Sequence, residues 1–139
     1  DDSSVLQFRN GDGVLTKTYP LFSELFQMTI TQTKSEFLVD SLIEVLNNEW
    51  KVNSIESGHS VYTQLEVEVG RKYIKIWSYL VGSEGRINGR SCWMFVNNKT
   101  GECLKPASWK APAKGVRFMI DFLANNCHVC DPYGSFLYL

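Results

Sequence analysis

Residues 61–80 constrain the fold more tightly than any other stretch. SVYTQLEVEVG alternates with a period of two, so Val61, Leu65, Val67 and Val69 share one face and Tyr62, Gln64, Glu66 and Glu68 the other. KYIKIWSYL alternates in the same way, and a two-residue Gly70-Arg71 turn of the Gly-X kind joins the two runs into a hairpin. That register pairs Val67 with Ile74, Leu65 with Ile76 and Val61 with Leu80 on an apolar face. Opposite them it pairs Glu66 with Lys75, Gln64 with Trp77 and Tyr62 with Tyr79, so both faces are chemically consistent.

An apolar sheet face needs a cover, and the best helix in the chain supplies one. Thr33-Lys-Ser-Glu36 has the form of a capping box, and Phe37, Leu38, Leu42, Val45, Leu46 and Trp50 follow as a broad apolar stripe. The spacing predicts a helix over about 34–49. Further strands are expected at Arg90–Asn97 and Glu102–Lys105, joined through Asn98-Lys-Thr-Gly101 with Gly101 in the left-handed position. Residues 82–89 read as a loop carrying Arg86, and the prolines of PASWKAPAKG mark an ordered loop. VRFMIDFLANN is too short to separate helix from strand, and the terminal CHVCDPYGSFLYL reads as a turn followed by an edge strand. Near the start, Val5–Phe8 and Val14–Thr16 flank Asn10-Gly-Asp-Gly13 as a small hairpin, and Pro20 opens a short amphipathic helix through Met28. The expected fold is a single α+β domain, 1–139. It has a mostly antiparallel four- to five-stranded sheet with one main helix on one face, 1–58 forming a helical, acidic half and 59–139 a β-rich half.

Length agrees with one domain, since 139 residues bury about two-thirds of the unfolded surface. Aromatic residues make up 13% of the chain, so a few large side chains should dominate its core. No apolar run reaches the roughly 20 residues needed to span a bilayer, so no membrane partner is expected. Asp1–Asn10 shows no basic-then-apolar pattern, so no signal peptide is expected either.

The net charge of −1 conceals a strong asymmetry. Ten of the 14 Lys/Arg but only two of the 15 Asp/Glu fall in residues 71–117, giving that block about +8 and the rest about −9. Three of the four Trp lie there too. Such polarity suits a polyanion or an acidic partner. The candidate binding residues are Arg71, Lys72, Arg86, Arg90, Lys105, Trp109, Lys110, Lys114 and Arg117. Lys/Arg neutralise phosphates, and Tyr73, Trp77, Tyr79, Trp93 or Trp109 can stack on unpaired bases. Against this, Trp77 sits beside Gln64, Glu66 and Glu68, whose carboxylates repel phosphate; the competing reading makes the Trp residues core and the basic side chains solvated.

Four cysteines permit two disulfides in three connectivities, but without a secretory signal free thiols in a reducing compartment are favoured. Cys127-His-Val-Cys130 has the spacing of half a zinc site or of a short bridge, yet Cys92 and Cys103 lie in strands without a paired knuckle to complete four ligands. No metal or cofactor is expected. His59 and His128 are the only histidines, and no nucleophile elbow, HExxH or phosphate loop is present, so catalysis is disfavoured.

Gly70-Arg-Lys-Tyr-Ile-Lys75, Arg90-Ser91, Phe95-Val-Asn-x-x-Thr-Gly101, Lys105-Pro-Ala-Ser-Trp-Lys110 and Pro112-Ala-Lys-Gly115 carry a resemblance over residues 69–139. This part of the chain resembles small proteins of tailed bacteriophages, many from marine viromes, that have no established activity. The resemblance transfers no site residues. It implies a viral origin and a place in the host bacterial cytoplasm or in the virion. Two roles follow as expectations. The first is a non-catalytic protein whose basic, Trp-containing loops contact single-stranded nucleic acid or a nucleotide-like anion. The second is a protein–protein module, a minor virion component or an inhibitor of a host factor, that sets its basic half against an acidic surface. Oligomeric state is left open.

Overall fold

Alternation does place residues 61–80 in a hairpin, but two residues away from the expected register. In the computed structural model, which describes residues 5–9, 11, 15–20 and 33–138, β3 (Tyr62–Val69) pairs antiparallel with β4 (Tyr73–Gly82). Val67 lies opposite Ile76, Leu65 opposite Ser78 and Glu68 opposite Lys75. A slip of two preserves every side chain's face, so alternation alone cannot detect it. The turn decides it. Gly70 N–H donates to Tyr73 O at 2.9 Å, and the Asn98 side chain donates to Gly70 O at 3.1 Å while its backbone N–H reaches Lys72 O at 2.8 Å. The connection is therefore a two-residue Arg71-Lys72 turn closed by Gly70 and Tyr73, one residue later than the expected Gly70-Arg71 turn.

The hairpin continues as an antiparallel meander in the order β3-β4-β5-β6-β7, with β5 at Gly85–Asn97, β6 at Glu102–Leu104 and β7 at Phe118–Met119. The segment 86–89, expected as loop, belongs to β5, so the turn between β4 and β5 shrinks to the residues around Ser83 and Glu84. Asn97 and Gly101 close the next turn as expected. Gly101 takes a φ of 78° and its N–H reaches Asn97 O at 2.8 Å, while Asn97 Oδ1 accepts from the amides of Lys99 and Thr100. The ambiguous stretch after residue 116 splits into β7 and a short helix α2 (Ile120–Asn125). The expected C-terminal edge strand is absent from the described residues. In its place 3₁₀ turns form at Cys127–Val129 and Ser135–Tyr138, the second because Asp131 gathers the local donors. Its carboxylate accepts from the Ser135 hydroxyl and from the amides of Tyr133, Ser135 and Phe136, at 2.7–3.1 Å. Partial burial pushes the Asp131 pKa up, but these bonds outweigh it and hold the carboxyl below its usual value.

The main helix α1 (Lys34–Glu56) opens on the expected capping box, with Glu36 N–H donating to the Thr33 hydroxyl at 3.1 Å. It runs one and a half to two turns further than the apolar stripe suggested. A Schellman closure stops it. Gly58 N–H reaches Ile55 O at 3.1 Å and His59 N–H reaches Ser54 O at 2.9 Å, with Gly58 supplying the left-handed residue at φ 76°. Val39, Leu42, Ile43 and Leu46 pack against Leu65, Ile74, Ile76, Met94, Val96 and Cys103 on the inner sheet face, and Ile120, Leu123, Phe136 and Leu137 close the core.

α1 also reaches the free edge of β3. Asn47 donates to Leu65 O at 3.0 Å and accepts from Leu65 N–H at 2.8 Å, while the Ser54 hydroxyl donates to Val61 O at 2.9 Å. The Asn47 amide thus stands where a neighbouring strand would, which blunts an edge otherwise open to pairing. Asn47→Ala should cost about 1–3 kcal/mol, because it leaves the Leu65 backbone groups unpaired. A urea titration reads the stability, and light scattering should show self-association of the variant alone.

In the N-terminal segment, β1 (Val5–Arg9) and β2 (Leu15–Pro20) form the expected antiparallel hairpin as a separate two-stranded sheet. Pro20 ends a strand rather than opening a helix. The rest of the helix expected through Met28 lies outside the described residues.

Candidate functional site

The outer face of the sheet carries the residues that the inner face has no use for. Period-two placement puts Lys75, Trp77 and Tyr79 of β4 there, opposite Glu68, Glu66 and Gln64 of β3. Two irregularities in β5 then aim its side chains. Trp77 pairs with Cys92 while Ile76 pairs with Met94, so Trp93 is an extra residue and both Trp93 and Met94 turn into the core. Trp93 packs edge-on against Trp50 at 6.1 Å, meets Phe136 at 5.2 Å and donates from Nε1 to Asp131 O at 3.0 Å. It is therefore structural and takes no part in a surface site. Further along, residues 88–90 lie opposite Tyr79 alone, and Gly89 at φ 103° permits the bulge. Arg90 emerges from that bulge onto the outer face.

The loop after β6 covers the neighbouring part of this face. Pro106 bridges Pro112, the amides of Ala107 and Ser108 both donate to Ala111 O at 3.0 and 3.1 Å, and Ala113 N–H reaches Lys105 O at 2.8 Å. This tight loop holds Trp109 beside Trp77, with ring centroids 6.3 Å apart, and Trp77 in turn meets Tyr79 at 5.4 Å. Cations lie over the row of rings. The Arg86 guanidinium is 5.3 Å from Trp77 and 4.9 Å from Tyr79, and the Arg90 guanidinium 5.5 Å from Trp77 and 4.7 Å from Trp109. Lys75 Nζ sits 4.2 Å from the Trp109 centroid. Both arginines are exposed, whereas the three rings are half-buried. Arg90 stands between two surface grooves of about 320 and 430 Å³ that also share Ser91 and Cys92.

The carboxylates that argue against an anion site lie on the β3 side of the row and have partners on β4. Glu68 pairs with Lys75 at 3.7 Å, and Glu66 Oε1 accepts from the Tyr79 hydroxyl at 3.1 Å. Partial burial, and then the bond to Glu66, push the Tyr79 pKa up, so the hydroxyl stays a donor.

Of the candidate residues, the structure brings Arg86, Arg90 and Trp109 together. Lys110 and Lys114 lie exposed on the Trp109 loop. Arg71 and Lys72 occupy the β3–β4 turn, at the opposite end of β4 from Arg86, with Lys72 Nζ 5.4 Å from the Tyr73 ring. Lys105 turns to Tyr138 at 5.0 Å, and Arg117 is exposed where the chain enters β7. Trp77 and Tyr79, expected as stacking rings, and Lys75, which was not among the expected binding residues, complete the cluster. Their alternation within KYIKIWSYL was the signal for them.

All four cysteines are unbridged. Burial pushes the Cys92 thiol up to about 11 and Cys130 up to about 12, and raises Cys103 and Cys127 as well. Among the described residues no group of three or more His, Cys, Asp or Glu is placed to hold a metal ion. A thiol-reactive label at neutral pH should modify Cys92 and Cys127, which are half-buried, slowly. Cys103 and Cys130 should react only after denaturation, and intact mass with and without denaturant distinguishes the two pairs. Among the described residues no helix is long and apolar enough to cross a membrane.

No curated protein and no solved structure matches this chain. A family model matches residues 22–139, which include every residue of the outer face; the chain belongs to the family of unknown function DUF7717.

Proposed function

We propose that this is a non-catalytic binding protein whose outer sheet face takes single-stranded nucleic acid. The observation that carries the reading is the ladder of planar groups in which Arg86 and Arg90 lie over Trp77, Tyr79 and Trp109. Unpaired bases stack on aromatic rings and on guanidinium planes alike, and the same guanidiniums pair with phosphate oxygens. A duplex keeps its base faces covered and gains only the charge contacts. The phage origin and the host-cytoplasm or virion setting implied by the resemblance belong to this proposal, as a nucleic-acid accessory role.

One observation favours the protein–protein reading. Val116, Met119 and Phe122, within seven residues of chain around β7 and α2 at the end of the basic loop, are each exposed. The two readings separate by fluorescence anisotropy at about 50 and 200 mM salt, the range in which phosphate contacts declare themselves. Labelled single-stranded DNA, single-stranded RNA, duplex and poly-aspartate serve as ligands. Salt-sensitive binding that prefers single strands is expected. Equal binding of poly-aspartate would favour an acidic protein surface, and no binding of any strand at the lower salt would end the nucleic-acid reading.

A further inference from the structure

The outer face is laterally asymmetric in a way that binding alone does not require. Its β3 column is Gln64, Glu66 and Glu68, its β4 column is Tyr79, Trp77 and Lys75, and Arg86 and Arg90 come from β5 on the far side. Acceptors therefore line one margin of the aromatic row, and the arginines reach over its rings from the other. Neighbouring columns stand about 5 Å apart, so a base stacked on the row lies within reach of both margins. Its phosphate is repelled from the β3 side and drawn to the arginines, which turns the outer edge of the base toward Glu66. The Tyr79 hydroxyl holds Glu66 Oε1 at 3.1 Å, which orients the carboxylate and leaves its second oxygen to accept.

Resting on the single-strand reading above, we infer that the Glu66 margin reads base edges and selects bases bearing an exocyclic amino group. An ionised carboxylate can only accept hydrogen bonds. Cytosine offers it the N4 amino group, whereas uracil sets carbonyl oxygens on either side of its one N–H. Glu and Asp accept from cytosine N4 in the same way in nucleic-acid complexes.

The test uses the full chain with oligo(dC) and oligo(dU) of equal length, which have the same ring and backbone. Wild type should bind oligo(dC) roughly tenfold more tightly, the lower part of the discrimination a good base contact supplies. Glu66→Gln, whose amide oxygen still accepts from Tyr79, should bring the two affinities together by improving oligo(dU), with an unchanged melting temperature. Binding of both oligomers with equal affinity by wild type would overturn base selection while leaving the single-strand reading intact. An unaltered ratio in Glu66→Gln would overturn the role of Glu66. Absence of binding to either oligomer would overturn the reading itself and this inference with it.

Discussion

Replacing Trp93 by alanine is expected to destabilise the protein by about 3–5 kcal/mol, the range for truncating a buried large aromatic side chain. Trp93 is 3% exposed and joins three elements, with Trp50 of α1 and Phe136 of the C-terminal turn against its ring and Asp131 O at its Nε1. Its removal opens a cavity and also releases the C-terminal segment from the sheet. Trp93→Phe keeps most of the ring contact and loses the hydrogen bond, so it should cost closer to about 1 kcal/mol beyond the smaller ring's lost packing. Urea titrations of the three proteins check both figures. If Trp93→Ala unfolds at the wild-type midpoint, the bulge at Cys92–Met94 does not bury this ring.

Arg86→Glu combined with Arg90→Glu should have the largest effect on binding. Under the proposed function it should lower affinity for a single-stranded oligomer by roughly a hundredfold at about 50 mM salt and reduce the salt slope by about one per lost phosphate contact. Both side chains are exposed, so the melting temperature should change little. Arg86→Lys with Arg90→Lys separates charge from planarity. Lysine keeps the point charge and the salt slope but offers no flat group to a base, so affinity should fall between wild type and the double glutamate. Reversing Lys110 and Lys114 should do less than reversing the arginines, because both are exposed on the loop and neither is held over a ring of the described residues. Full retention of binding by the double glutamate would move the site off this face.

The elements with local causes were readable in advance. The capping box of α1 requires only Thr33 and Glu36 three residues apart, and the Asn97–Gly101 turn only its own side chain and one left-handed glycine. The end of α1 was also readable, through Gly58, although the apolar stripe drew attention to an earlier stop. The terminal edge strand was misread because Phe136 and Leu137 look alike whether a strand or a 3₁₀ turn buries them. Asp131, five residues before Phe136, chose the turn.

From sequence alone come the fold class, the alternating faces of β3 and β4 and the charge asymmetry of residues 71–117. Each depends on periodicity or composition, which need no knowledge of distant partners. Tertiary structure alone decided the two-residue register slip, through Asn98 reaching back to Gly70 and Lys72. It also decided which of the ten basic side chains of residues 71–117 share a surface. That choice depends on two β-bulges and on a proline-pinned loop that sets Trp109 beside Trp77, 32 residues away in sequence and 6.3 Å away in space. A bulge shifts the phase of alternation, and in the run Trp93–Val96, apolar and buried throughout, no polar residue marks that shift in the sequence.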